Sequence, residues 1–393
     1  MNLRDLEERA ETYITDLIRG RRHSKLDLAA RSFLFVLSRI YLFFVQWRIT
    51  LYQQRIFRHR TLGCLVVSVG NITVGGTGKT PVVEVFSRSL ARQGRRVAIL
   101  SRGYRSKRKP LPQAVADLFL KRSRQSPPRV VSDGQRLLLD SEMAGDEPYM
   151  LASNLTDVVV LVDKDRVKSG RYAIREFGAD TLILDDGFQY LFLKPRMNIL
   201  LIDSTAPFDN HHPLPRGFLR EPIENLRRAD FIFLTKSSGG EHLRHLKRFI
   251  KRHNHRAEII ECTHRPLYLE DVYSKEKSEL SLLKGKKLAS ICGIAAPESF
   301  EKFLRTFGGD IVYQQRFADH HRYSQQELID FINAAVEHDA ELIITTEKDA
   351  VRMPMLERRD LSILLMRVEI DILSGHENFN QCISRICLKT MGG

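Results

Sequence analysis

A chain of 393 residues, 43% of them hydrophobic, is long enough for more than one packed core, and its formal net charge of +14 favours polyanionic partners: nucleic acid, anionic lipid or a phosphorylated substrate. The five cysteines are an odd number without a closely spaced pair, which excludes a disulfide framework and a cysteine-based zinc or redox motif and leaves reduced thiols as the expectation. The opening MNLRDLEERAETY is charged and lacks the apolar core and small-residue cleavage site of a signal peptide, so secretion is not expected.

Residues 1–60 read as a basic lead followed by an apolar helix. From Phe33 to Tyr52 the sequence is FLFVLSRIYLFFVQWRITLY, interrupted only by polar residues such as Arg39, Gln46 and Arg48. A spanning helix needs about 20 predominantly apolar residues, and two arginines inside the segment favour an interfacial or half-inserted helix. Tyr41, Trp47 and Tyr52 are of the type enriched where lipid headgroups meet hydrocarbon, and Arg19, Arg21, Arg22, Lys25, Arg55, Arg58 and Arg60 flank the segment with positive charge for anionic lipid. The competing reading is a helix buried against the main domain.

Next come CLVVSVG, a valine-rich run of the kind that forms a buried parallel strand, a glycine-rich loop, and PVVEVFSRSLARQG with helical spacing and Gly94 as a stop. RVAILSRGY, VVVLVD, TLILDDG, MNILLID and FIFLT repeat the strand pattern with helical stretches between them. This alternation predicts a doubly wound parallel α/β sheet over 61–255, with its ligand site at the carboxyl ends of the strands. A polar, basic break at KSSGGEHLRHLKRFIKRHNHR precedes a smaller α/β lobe, placed with its linker at 256–393.

In VGNITVGGTGKTP, Thr73 stands where the standard phosphate loop has its first glycine, but the working parts are present. Gly75, Gly76, Thr77 and Gly78 let backbone N–H groups point at phosphate oxygens, Lys79 reaches the terminal phosphates, and the Thr80 hydroxyl meets Mg²⁺. Strand, loop and helix in this order indicate a P-loop NTPase-type fold that binds a nucleoside triphosphate. Nucleotide-dependent membrane switches carry a lysine where this chain has Val74, which counts against that alternative class. Asp185 and Asp186, closing the apolar run of TLILDDGFQY, supply the acidic strand end that holds Mg²⁺ directly or through water. Nucleic-acid binding rests on charge alone, since no basic and aromatic platform is present, and no nucleic-acid partner is expected.

Taken together, GNITVGGTGKTP, SRGY, GDEPYMLA, LDDGFQ, LPRGFLREP, FADHHRYS and TTEKDAV, in this order, resemble the tetraacyldisaccharide 4'-kinase family over about residues 33 to 370. The resemblance implies ATP-dependent phosphorylation of the 4'-hydroxyl of an acylated glucosamine disaccharide 1-phosphate, giving lipid IVA, at the cytoplasmic face of the inner membrane of a Gram-negative bacterium. It also implies two lobes; membrane contact through the 33–52 helix is expected from that helix's own residues, and a monomer is expected.

By the same resemblance Asp146 looks like the catalytic base, acting with His320 as a dyad beside Asp319, and Lys79 serves the transfer. Glu147 tunes the base, contacts substrate or caps its helix. Arg102, Arg166 and Arg220 match positions that face the triphosphate. Thr80, Gln189 and Glu221 match groups near Mg²⁺, with Asp185 and Asp186 at the strand end. Two departures stand out: Tyr190 replaces the family's usual histidine after DDGFQ, and TKSSGG replaces an aspartate-bearing segment after FIFLT.

Overall fold

The structure is a computed structural model that describes residues 13–103, 126–357 and 360–387. The first twelve residues of the basic lead, and the stretch from Tyr104 through the RSKRK cluster, lie outside the described residues. In chain order the elements are α1 (Lys25–Gln53), β1 (Leu65–Asn71), α2 (Lys79–Arg92), β2 (Val97–Ser101), β3 (Arg129–Asp133), α3 (Ser141–Ala144), α4 (Asp146–Asn154), β4 (Val158–Val162), α5 (Arg166–Phe177), β5 (Thr181–Asp185), β6 (Met197–Asp203), β7 (Phe231–Thr235), α6 (Glu241–His253), β8 (Glu258–Asp271), β9 (Lys277–Ser278), β10 (Lys287–Cys292), α7 (Pro297–Thr306), β11 (Asp310–Arg316), α8 (Gln325–Glu337), β12 (Leu342–Thr346), α9 (Glu347–Ala350), β13 (Ile363–Ser374) and α10 (His376–Cys387).

They fall into two compact units, one made of 1–102, 163–263 and 372–393, the other of 103–162 and 264–371. The sequence reading drew one boundary at 255, whereas the chain enters the second unit twice. Apolar periodicity identifies each strand, but strand pairing decides which core it joins.

In the first unit β1 is central, paired in parallel with β5 on one side and β6 on the other; β5 continues to β2, and β6 to β7 and the start of β8. Every residue of β2, β5 and β7 is buried, which is why these strands read as unbroken apolar runs instead of alternating ones. Ile72, Phe188, Leu200, Ile202 and Phe208 pack with Leu243, Leu246 and Ile250 of α6, so the basic break seen in the sequence is an amphipathic helix whose apolar stripe closes this core.

Helix α1 starts at Lys25, earlier than the apolar run suggests, because Ser24 and Asp27 form a reciprocal capping box: each side chain accepts from the other's backbone N–H at 3.1 and 3.0 Å. Ser38, Ile49 and Tyr52 are buried, while Phe33, Val36, Ile40, Phe43, Phe44 and Trp47 are exposed. Among the described residues α1 is the one helix long and apolar enough to cross a membrane. It is not the buried core helix of the competing reading.

In the second unit β10 lies between β11 and β12, both parallel to it, and β12 pairs in parallel with β13. β3 and β4 form an antiparallel pair. Leu328, Phe331, Ile332 and Ala335 of α8 pack on Ala289, Ile291 and Ile343, and Phe300 and Leu304 of α7 on Leu288 and Ile344.

The loop following β5 lies directly on the end of β1. The Gly187 N–H donates to the Val69 carbonyl at 2.9 Å, and a Cβ added to Gly70 would sit 2.8 Å from both the backbone N and the Cβ of Phe188. No side chain fits there without moving backbone. Gly70→Ala is therefore expected to destabilise the fold by about 1–3 kcal/mol, read as a lowered melting temperature by calorimetry; an unchanged melting temperature would show that the contact relaxes freely.

Candidate active site

Within the first unit, β1 ends in Asn71 and leads into the glycine loop. Gly75 and Gly78 take φ of 115° and 74°, a region that favours glycine, and Gly78 caps α2 without a side chain. The backbone N–H groups at the start of α2 are thus left for an anion, and the helix dipole adds to their pull. Two hydrogen bonds pin the loop: Asn71 Nδ2 donates to Thr77 Oγ1 at 3.0 Å, and Thr235 Oγ1 of β7 donates to the Thr77 carbonyl at 2.8 Å. Thr77 is buried, Gly75 and Gly76 are exposed, and Gly78, Lys79 and Thr80 are half-buried.

Asp186 is the focus of the loop's charges. It is the first residue beyond β5, held at a left-handed φ of 53°. Lys79 Nζ donates to its Oδ1 at 3.0 Å, and Arg220 Nη1 reaches both oxygens at 2.9 and 2.8 Å. Burial opposes the charged form, but the Lys79 and Arg220 charges win and hold the carboxyl well below the usual aspartate range. Gln189 ties this cluster to the loop: its Nε2 donates to the Asn71 carbonyl at 2.9 Å, and its Oε1 accepts from Arg220 at 3.4 Å.

The neighbouring Asp185 faces differently. Its carboxylate accepts from Ser101 Oγ of β2 at 3.0 Å, and its carbonyl accepts from Arg166 Nη2 at 3.4 Å. Arg166 is buried, with its guanidinium 4.8 Å from the Tyr190 ring centroid, and the Tyr190 hydroxyl accepts from the Arg166 backbone N–H at 3.1 Å. Tyr190 therefore stacks on Arg166 and caps α5, a role that needs no imidazole. Arg102 is exposed immediately after β2. Glu221 is buried: its Oε2 accepts from Asn225 at 2.8 Å and from Arg228 at 2.5 Å, while its Oε1 has no hydrogen-bond partner among the described residues.

Thr80, Asp185, Asp186, Gln189 and Glu221 all offer oxygen, the ligand type of Mg²⁺, and the unpartnered Glu221 Oε1 is a buried acceptor able to serve a cation or its water. Among the described residues no three Asp, Glu, His or Cys side chains gather as a metal cage. That fits a Mg²⁺ held by one or two protein oxygens together with phosphate oxygens.

The second unit holds the other predicted residues. Asp146, buried at the first turn of α4, accepts from His320 Nδ1 at 3.1 Å and Arg352 Nε at 2.8 Å on one oxygen, and from Arg322 Nη2 at 3.2 Å on the other. Burial would raise its pKa, but the His320 hydrogen bond and the Arg352 and Arg322 charges hold the carboxyl below its usual value. His320 Nδ1 lies 3.1 Å from the Asp146 carboxylate, which only accepts, and equally 3.1 Å from Arg352 Nη2, which only donates, while Nε2 lies 3.2 Å from Lys348 Nζ. Lys348 also donates to Asp319 at 3.4 Å, and Glu147 lies 3.8 Å from the same ammonium. His320 has a φ of 68°, costly for a non-glycine residue and sustained by this network. His321 stacks instead on Phe317, at 4.5 Å between ring centroids.

The structure thus gathers Lys79, Asp186, Gln189 and Arg220 in one unit, and Asp146, Asp319 and His320 in the other. Sequence reasoning missed Asn71 and Thr235, which anchor the loop, and Arg322, Lys348 and Arg352, which surround the dyad. Arg322 and Lys348 sit inside the noticed motifs FADHHRYS and TTEKDAV, and Arg352 one residue beyond, but nothing in the linear pattern aims these side chains at Asp146.

Because the folded-state pKa of Asp186 is depressed, its pairing stabilises the fold above the ordinary aspartate value of 3.8, and that contribution fades as pH falls from there toward the folded value. Asp186→Asn should lower the melting temperature at neutral pH and shrink the acid-induced loss of stability below about pH 4. An acid limb identical to that of the parent chain would remove Asp186 from this account.

Comparison with known proteins converges on one family. A profile described as Tetraacyldisaccharide-1-P 4'-kinase matches residues 30–387. The tetraacyldisaccharide 4'-kinase of Halothermothrix orenii is 34% identical over 97% of this chain and 99% of its own length, and that of Anaeromyxobacter dehalogenans is 38% identical over 83% of this chain and 82% of its own. The crystal structure of the "apo" form of LpxK from Aquifex aeolicus in complex with ATP superposes with a TM-score of 0.69 at 27% identity, covering 91% of this chain and 99% of that one. With a profile spanning residues 30–387 and similarity along nearly its whole length, the chain belongs to the tetraacyldisaccharide-1-P 4'-kinase family.

Proposed function

We infer that this chain is an ATP-dependent kinase that phosphorylates the 4'-hydroxyl of a tetraacylated glucosamine disaccharide 1-phosphate, producing lipid IVA in lipid A biosynthesis. The observation that carries this reading is the glycine loop with Lys79 and Arg220 converging on Asp186, in a chain of this family. Mg²⁺, when bound, would offset negative charge on the phosphates.

The chain's own residues divide the work. The N–H groups from Gly75 to Thr80 bind the phosphates, Lys79, Arg220, Arg166 and Arg102 supply positive charge, and Thr80, Asp185, Asp186, Gln189 and Glu221 supply oxygen for the metal. In exchanging Asp186 for phosphate oxygens, Lys79 and Arg220 keep the charge balance they already have. A sugar hydroxyl is a weak nucleophile at neutral pH and must lose its proton as it attacks. That proton passes to the Asp146–His320 pair, in which Asp146 orients the imidazole and Asp319 acts through Lys348.

The exposed Phe33, Phe43, Phe44 and Trp47 of α1 support membrane docking at the cytoplasmic face of the inner membrane, where an acylated substrate resides. The chain acts there as a monomer, with phosphate binding in the first unit and proton transfer in the second.

Transfer of labelled γ-phosphate from ATP to a tetraacyldisaccharide 1-phosphate in micelles tests the assignment. Lys79→Ala should abolish product, and Asp146→Asn should lower kcat by about 10²–10⁴-fold with little change in ATP affinity. Activity in Lys79→Ala would sink the loop assignment, a pure KM effect would move Asp146 to binding, and lipid-stimulated phosphate release without labelled lipid would favour a switch ATPase. For the membrane, replacing Phe43, Phe44 and Trp47 by serine should weaken partition into anionic vesicles by about 100-fold or more; unchanged partition would refute docking through this face.

A further inference from the structure

Helix α1 touches two backbone atoms of the phosphate site. The Tyr41 hydroxyl donates to the carbonyl of Arg220 at 2.9 Å, and Arg48 Nη2 donates to the carbonyl of Gln189 at 2.9 Å. Arg220 and Gln189 are the residues whose side chains grip Asp186 and the end of β1. The backbone around Arg220 also runs beside the entry to the glycine loop: its N–H donates to the Ile72 carbonyl at 2.7 Å, and the Val74 N–H donates to the Phe218 carbonyl at 2.7 Å. A continuous path of hydrogen bonds therefore leads from α1 to Lys79, wholly within one unit.

Phe43, Phe44 and Trp47, interleaved with Tyr41 and Arg48 in the sequence, are exposed on α1. Tyr41 is half-buried and Arg48 exposed, yet both donate to backbone carbonyls of the nucleotide unit, which an apolar anchor alone does not require. We propose that Tyr41 and Arg48 are positioning residues that couple lipid contact on α1 to the placement of Arg220 and Gln189, so that membrane docking and nucleotide binding strengthen each other. This rests on the assignment of those two residues to the nucleotide site and of α1 to lipid. Lipid contact orders α1, the ordered helix holds both carbonyls, and the side chains beyond them are set for phosphate. Linkage makes the effect reciprocal: nucleotide at the loop must raise the affinity of α1 for lipid by the same factor.

The test uses the full chain and a non-hydrolysable ATP analogue with Mg²⁺. Its affinity is measured by calorimetry with and without vesicles of phosphatidylethanolamine and phosphatidylglycerol. Trp47, the single tryptophan, reports the state of α1 by its emission. One or two hydrogen bonds predict a vesicle-induced tightening of about 3–10-fold and a nucleotide-induced change in Trp47 emission. Both should vanish in Tyr41→Phe/Arg48→Gln, and Tyr41→Phe/Arg48→Lys should recover part of them. Equal affinities with and without vesicles in the parent chain, or a full vesicle effect in the double variant, would overturn the coupling. Weakening by the same factor in both conditions would assign the two bonds a purely structural role and overturn it too. No nucleotide binding by the parent chain would strike the phosphate-loop assignment itself, and the coupling with it.

Discussion

The carboxylate of Asp186 is the charge on which the phosphate site depends. Lys79 and Arg220 would repel one another across the loop without it, and neither lies in bulk water where solvent would screen them. By accepting from both, Asp186 holds the two cations side by side. Its own position has a backbone origin: β5 ends at Asp185, and a left-handed turn at Asp186 and a glycine at 187 bring the chain back onto β1. Where the two adjacent aspartates read alike in sequence, one is spent on Ser101 of β2 and the other on the loop's cations.

The second unit uses the same physics for another purpose. Asp146 is gripped by two arginines and a histidine, which keeps it ionised. Lys348, facing Nε2 and Asp319 together, links the remaining members of the cluster. Placing this carboxylate in the first turn of α4 adds the helix dipole to the same balance.

Helix α1 combines two demands that a sequence profile averages into one. Its exposed apolar residues suit a lipid boundary, while Tyr41 and Arg48 bring hydrogen-bond donors to the nucleotide unit. Tyr190 finds its place in that unit as well: its ring packs on Arg166 and its hydroxyl accepts from the first backbone N–H of α5.

Much of this was legible in the chain itself. Buried parallel strands need continuous apolar runs, so LVVSVG, VAILS, TLILD and FIFLT declare themselves; a loop that cradles phosphate needs glycine at positive φ, so GGTGKT does the same. Those are local requirements, satisfied within a few residues, and sequence carries them. Which strands share a core, which of two adjacent aspartates meets Lys79, and which arginines surround Asp146 were decided by tertiary structure. Arg352 and Asp146 are 206 positions apart and meet at 2.8 Å. Such partners leave no periodic trace, because a charged side chain is chosen by the field at its destination, and that field exists only once the chain has folded.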